Sequence, residues 1–163
     1  MKKFELTNEF VTNMFGTKLF RIRALVEFGD VEAGELGGYV EKESNLGHDD
    51  NAWVYGDARV YDNARVYGDA WVYGNARVCG DALVCGDARV CGNGDYAYAH
   101  GFGSVNRTTT FFRLKDGGVG VRCGCFYGTL AQFRDKIRET HGETKKAQEY
   151  LMLADLMKLR FEK

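Results

Sequence analysis

Residues 51–92 read NAWVYG DARVYD NARVYG DAWVYG NARVCG DALVCG DARVCG, one six-residue unit, [Asp/Asn]-Ala-x-Val-[Tyr/Cys]-Gly, repeated seven times without a gap. Only the second unit departs, with Asp62 where the others end in Gly. A fixed period of this kind sets the architecture before any local propensity does. Within a unit, Ala-x-Val-Tyr alternates, which predicts a strand of about four residues with two side chains on each face. Ala52 and Val54 point one way, Trp53 and Tyr55 the other. Gly followed by Asp or Asn supplies the bend, because Gly and Asn tolerate positive φ and Asp or Asn bonds its own backbone. Strands this short bury too little as a hairpin meander. A parallel solenoid, with each unit one wall and three units one coil, buries the Val and Ala rows continuously.

Three units per coil fix what stacks on what. Wall one carries Trp53 and Tyr55, then Trp71 and Tyr73, then Arg89 and Cys91. Wall two carries Arg59 and Tyr61, then Arg77 and Cys79; wall three carries Arg65 and Tyr67, then Leu83 and Cys85. All of these are expected to point outward, about 4.8 Å from their ladder neighbours. Val54, Val60, Val66, Val72, Val78, Val84 and Val90 fill the interior with the alanines, leaving no room for a ligand. Chemistry is therefore expected outside the coil or at its ends.

The run Val54-Tyr-Gly-Asp-Ala58-Arg59 resembles the hexapeptide repeat of left-handed β-helix proteins, with an aliphatic residue inward and a small residue four positions later. It departs from that family after the aliphatic residue, where Tyr or Cys replaces a small or acidic side chain. The resemblance implies a left-handed crossover, an exception to the right-handed rule for parallel strands. The expected fold is mainly β: a left-handed parallel β-helix of three hexads per coil, with an N-terminal strand cap and a C-terminal β-hairpin plus two helices.

Three segments follow. In residues 1–50, residues 3–6 and 18–25 read as strands, and FGDVEAGELGGYVEKESNLGHDD (28–50) as an irregular first coil that caps the exposed strand edges. Its carboxylates read as solvated cap and corner positions. Residues 51–100 form the solenoid, whose repeat decays after Gly92. In residues 101–163, TTTFFRLK-DGG-VGVRCGCF (108–126) reads as a hairpin around Asp-Gly-Gly. Thr129 and Gln132 form a capping box opening a helix with Leu130, Phe133 and Ile137 on one stripe and Gly142 as its stop. A last helix, Thr144 to Phe161, lines one face with Ala147, Tyr150, Leu151, Ala154, Met157 and Phe161; Leu153, Leu156 and Leu159 widen it.

Composition narrows the function. A net charge of −1 over 163 residues argues against binding driven by nucleic-acid phosphates. No stretch reads as a signal peptide or membrane span. Five cysteines without framework spacing point to a reducing cytosol. KLFRIRAL (18–25), GELGGYVEKESNL (34–46) and VRCGCFYGTLAQF (121–133) are similar to hexapeptide-repeat proteins of phages and prophages, which implies a phage protein in the cytoplasm of a bacterial host.

Two functional classes remain. Hexapeptide-repeat acyltransferases use CoA or carrier-protein donors and need a histidine base, usually beside a loop that breaks the coils. The three histidines are His48, His100 and His141, and no loop interrupts 51–92. His141 reads as a helix-end residue; His100 or His48 would be the base. Histidine zinc chemistry fails for want of histidines on the coils. Cys79, Cys85 and Cys91 fall on three walls and cannot share an ion. Cys123 and Cys125 share one strand face and read as structural. No metal or cofactor is expected, and the bulky ladders argue against ice binding.

The second class is binding. Trp53, Tyr55, Trp71 and Tyr73 form an aromatic wall that reads as a homo-oligomer interface, a face covered by the C-terminal helices, or a dock for a foreign protein. Arg59, Arg77 and Tyr61, with Arg89, offer guanidinium groups beside aromatics for an anion, unless corner Asp and Asn neutralise them. The preferred reading is a non-enzymatic phage protein, homo-oligomeric, acting against a host antiviral defence by covering a host protein or sequestering a small anionic ligand. The alternative is the acyltransferase.

Overall fold

The computed structural model describes residues 2–162. Three N-terminal strands, β1 (Phe4–Thr12), β2 (Lys18–Ala24) and β3 (Leu36–Val40), precede the repeat. The seven hexads contribute β4 (Trp53–Val54), β5 (Arg59–Val60), β6 (Arg65–Val66), β7 (Trp71–Val72), β8 (Arg77–Val78), β9 (Leu83–Val84) and β10 (Arg89–Val90). Then come β11 (Tyr96–His100), β12 (Thr108–Arg113), β13 (Val119–Cys123), β14 (Phe126–Thr129), α1 (Leu130–His141) and α2 (Lys145–Phe161).

The hexad strands are two residues long, not four. The Tyr or Cys of each unit belongs to the turn: the Tyr55 carbonyl accepts the Ala58 N–H at 3.1 Å, and Tyr61, Tyr67, Tyr73, Cys79 and Cys85 do the same three residues on. Gly56, Gly68, Gly74, Gly80 and Gly86 hold the first central position at φ between 57° and 70°. The Asp or Asn that follows has no positive φ. Positive φ at the first central residue alone is the type II′ pattern, which is why Gly recurs there and why the bend spans four residues. Asp62 adopts φ 57° at the same position.

Pairing is parallel and in the predicted register. Wall one is Trp53↔Trp71↔Arg89, wall two Arg59↔Arg77 and wall three Arg65↔Leu83. The first coil is two residues longer: Tyr39 pairs with Arg59 and Leu46 with Val66. The seven valines and seven alanines of the hexads are all completely buried. These rows are the core of a β-solenoid.

Both ends are covered. β1 and β2 form an antiparallel hairpin that extends wall two through β3, giving the order β1-β2-β3-β5-β8. At the other end the expected single hairpin is a four-stranded antiparallel sheet, β11-β12-β13-β14. The decaying repeat supplies its first strand, and Gly124 at φ 59° turns β13 into β14. Strand alternation explains how this sheet serves two cores. Phe112 joins the solenoid interior, while its neighbour Phe111 joins a second core with Phe133, Tyr150 and Met157. The Leu83 N–H donates to Thr110 Oγ1 at 3.0 Å, and the Lys115 N–H to the Asp87 carbonyl at 2.9 Å, docking the sheet on the last coil.

The helices start where the caps place them. Thr129 Oγ1 accepts the Gln132 N–H at 3.2 Å, and Gln132 Oε1 accepts the Thr129 N–H at 2.9 Å. Ala147, Tyr150, Ala154, Met157 and Phe161 are buried as predicted, whereas Leu156 and Leu159 remain exposed with Met152. No helix among the described residues is long and apolar enough to cross a membrane.

Candidate functional site

Wall one differs from the expected exposed aromatic surface. Trp53 does lie opposite the Ala and Val rows, but it is completely buried. Phe28 meets it edge-on at 5.2 Å between centroids and Phe4 at 6.3 Å. Its other side lies on Gly37, where an added Cβ would stand 2.8 Å from Trp53 Cζ2. The segment before the repeat therefore removes Trp53 from any interface. Tyr55 and Trp71 are half-buried and pack edge-on at 5.5 Å, and Arg89 lies 4.1 Å over the Trp71 ring. Arg89 Nη1 also donates to the Asp69 and Ala88 carbonyls at 2.8 and 2.9 Å, which pins the side chain against the wall. Tyr73 is half-buried on the adjoining turn.

Wall two keeps its predicted character. Arg59 and Arg77 are stacked in register, with Tyr61 beside them. Neither guanidinium has a carboxylate partner among the described residues. Asp57, the closest acid in sequence to Arg59, lies 3.9 Å from Arg21 instead. Asp62 is committed to the Gly80 N–H at 3.1 Å. The corner before Arg77 is the uncharged Asn75. At the ladder spacing of about 4.8 Å, two such charges repel by roughly 1 kcal/mol even in water-like surroundings.

The β1–β2 hairpin turns this ladder into a groove. Thr12, Asn13, Met14 and Phe15 stand beside Arg59, Tyr61 and Arg77 and enclose about 290 Å³. A second hollow of about 270 Å³, lined by Val11, Tyr39, Asn75 and the Asp57 carboxylate, shares the same two arginines, although Asp57 makes no ion pair with either. Arg21 fixes the hairpin in place: it donates to the Gly37 carbonyl at 2.7 Å, pairs with Glu9 at 2.7 Å and lies 4.4 Å over the Tyr39 ring. The hairpin turn is held locally, since Asn13 Oδ1 accepts the N–H groups of Phe15 and Thr17, each at 3.0 Å. Met14 and Phe15 are nonetheless 88% and 86% exposed. Burial, aided by Cys79, raises the Tyr61 hydroxyl above its ordinary value, so it is a neutral donor at physiological pH. The hairpin residues were not foreseeable as part of this site, because their contacts with wall two bridge more than forty positions in sequence.

The histidines do not converge. His48 stacks on Phe4 at 4.3 Å, and its Nδ1 accepts the Lys3 N–H at 3.1 Å. In the neutral ring that bond puts the proton on Nε2, which faces Glu43 at 3.9 Å. Such a nitrogen is a donor, not a free base. His100 Nδ1 shares a hydrogen bond with Thr108 Oγ1 at 2.8 Å on an exposed strand, and His141 stacks on Tyr150 at the end of α1. Cys85 is buried, Cys79 half-buried and Cys91 exposed. Cys123 and Cys125 do not share a strand face as expected: Cys123 ends β13 and is buried, whereas Cys125 sits in the turn and is exposed. No cluster of metal-ligating side chains occurs among the described residues.

A family model described as a YdcK beta solenoid repeat matches residues 58–74, 70–86 and 76–92. Each window begins on an alanine of the hexad, so the matches fall in phase with the repeat. No curated protein matches the chain.

Proposed function

We propose that this β-solenoid is a non-enzymatic binding protein whose wall-two groove holds an anionic ligand. The observation that carries the proposal is the Arg59–Arg77 pair, stacked without a carboxylate partner beneath the hairpin. Two adjacent guanidinium groups present paired donors that match phosphate or carboxylate oxygens. Tyr61 adds a neutral hydroxyl and a flat ring. The ligand is a small polyanion held free, or an acidic segment on a host protein that the groove covers. The coil is left-handed in this reading, which the hexapeptide pattern supports. The phage resemblance of the flanks supports a role against a host antiviral defence, exercised in the bacterial cytoplasm by a homo-oligomer. The His48 geometry gives the acyltransferase alternative little support.

Native mass spectrometry of the protein purified from its bacterial host, beside a denatured sample, tests this reading. The wild type is expected to retain an anionic small molecule or an acidic protein that Arg59→Ala/Arg77→Ala loses. A retained mass that survives the double substitution overturns the assignment to wall two.

A further inference from the structure

A second cavity, of about 240 Å³, lies between β13, β14, α1 and α2, away from the arginine ladder. Its floor is apolar: Phe126, Phe133, Ile137 and the Tyr150 ring. Phe133 meets Phe126 and Tyr150, each at 5.7 Å. Its mouth is basic, with Arg107, Lys136 and His141, and no carboxylate is among its lining residues. Two acids stand nearby: Glu149 accepts the Gly103 N–H at 2.7 Å, and Glu139 forms a loose i,i+3 pair with Lys136 at 4.0 Å, so Arg107 is the mouth cation without a carboxylate partner among the described residues.

Two glycines make this shape. At Gly103 (φ 72°) an added Cβ would stand 2.0 Å from Tyr150 Cζ, so only Gly lets the backbone close on that ring. At Gly124 (φ 59°) it would stand 1.6 Å from Arg107 Nη1, so that nitrogen packs directly against the β13–β14 turn. Arg107 Nε also donates to the Ser104 carbonyl at 3.3 Å, which fixes the arginine at the mouth without neutralising it. Tyr150 is likewise fixed, its hydroxyl accepting the Ser104 N–H at 2.8 Å.

We propose that this cavity is a second ligand site, for a small carboxylate with an aromatic or short aliphatic body. The body packs on the rings, and the carboxylate takes charge-assisted hydrogen bonds from Arg107 with Lys136 beside it. Binding pockets typically pair such an apolar lining with a few placed polar groups. The volume limits the ligand to roughly one ring and a short chain. Wall two has the opposite make-up, two charges and little enclosed apolar floor, so the two sites select different anions.

The test is an amide-resolved NMR titration of the full chain with phenylacetate, and with phenylacetamide as its neutral isostere. Saturable shifts are expected for residues 103–108, 121–126 and 133–150, with phenylacetamide weaker by about tenfold or more, since hydrogen bonds to charged groups contribute about 1.5–3 kcal/mol. Arg107→Gln should weaken phenylacetate to a similar extent. Lys136→Ala, at an exposed helix position, should weaken it by a smaller factor without touching the fold, which keeps the test valid if Arg107→Gln misfolds. Equal affinity for acid and amide, absence of shifts up to about 20 mM ligand, well above a millimolar Kd, or shifts centred on Arg59 and Arg77 would each overturn the proposal.

Discussion

Replacing Trp53 with Ala should cost about 3 kcal/mol of stability. Truncating a buried aromatic residue to Ala costs about 3–5 kcal/mol, the upper values applying where the site cannot collapse. Here collapse is restricted by the Gly37 backbone on one side and by Phe4 and Phe28 on the other. One term runs the opposite way. Trp53 Nε1 is buried without a hydrogen-bond partner among the described residues, and leaving a donor unsatisfied costs about 1–3 kcal/mol. Truncation relieves that cost, which pulls the net value toward the lower end. Trp53→Phe keeps most of the ring contact and also removes the orphaned N–H, so it should fall within about 1 kcal/mol of wild type. Urea unfolding followed by circular dichroism measures both, with an unchanged m-value as the check on two-state behaviour. In a Trp71→Phe background, Trp53 is the single tryptophan left of two, and its fluorescence should resist acrylamide. Equal costs for Ala and Phe, or ready quenching, would refute the packing argument.

Asp62 combines positive φ with a carboxylate that caps the Gly80 N–H. Asp62→Ala keeps the strain and loses the bond, so it should be about 1 kcal/mol less stable than Asp62→Gly, which loses the bond but relieves the backbone; thermal melts of both rank them. Burial pushes the Tyr67 hydroxyl up to about 12 from 10.0, and Tyr96 shifts in the same direction for the same leading reason. A raised folded value contributes stability that is complete below pH 10.0 and is lost as pH rises toward about 12. Urea midpoints should therefore fall between pH 10 and 12 (roughly, by linkage), and less steeply in Tyr67→Phe. Lys3 acts oppositely: burial lowers its value from 10.5, so its contribution grows with pH below that point, and Lys3→Met should steepen the alkaline decline. Arg21→Ala removes the clamp on the β1–β2 hairpin, and limited proteolysis should then cut at residues 12–18 well before wild type is cut.

The solenoid was legible because its signal is local and periodic. Each Val and Ala faces inward for the same reason, and six-residue spacing alone predicts that Trp53, Trp71 and Arg89 stack. Alternation in Ala-x-Val-Tyr predicts a four-residue strand, whereas the Tyr carbonyl closes a type II′ turn and leaves two. What covers a wall was not legible. Phe4 and Phe28 reach Trp53 across 49 and 25 residues, and no pattern within the hexads encodes that contact. The arginine ladder was readable as residue types. Its lack of carboxylate partners was not, because that depends on Asp57 turning to Arg21 and Asp62 to the Gly80 N–H. The cavity at Arg107 is similar: the sequence names CGC and two helices, but only tertiary packing brings Arg107 over an apolar floor.

Calorimetric titration of inorganic pyrophosphate into the wild type and Arg59→Ala/Arg77→Ala tests wall two as an anion site. Saturable binding near one equivalent per chain is expected, weakening with added salt, with a loss of about thirtyfold or more in the double variant, since two charge-assisted contacts are removed. Identical isotherms for the two proteins, or no heat above dilution for the wild type, would contradict it.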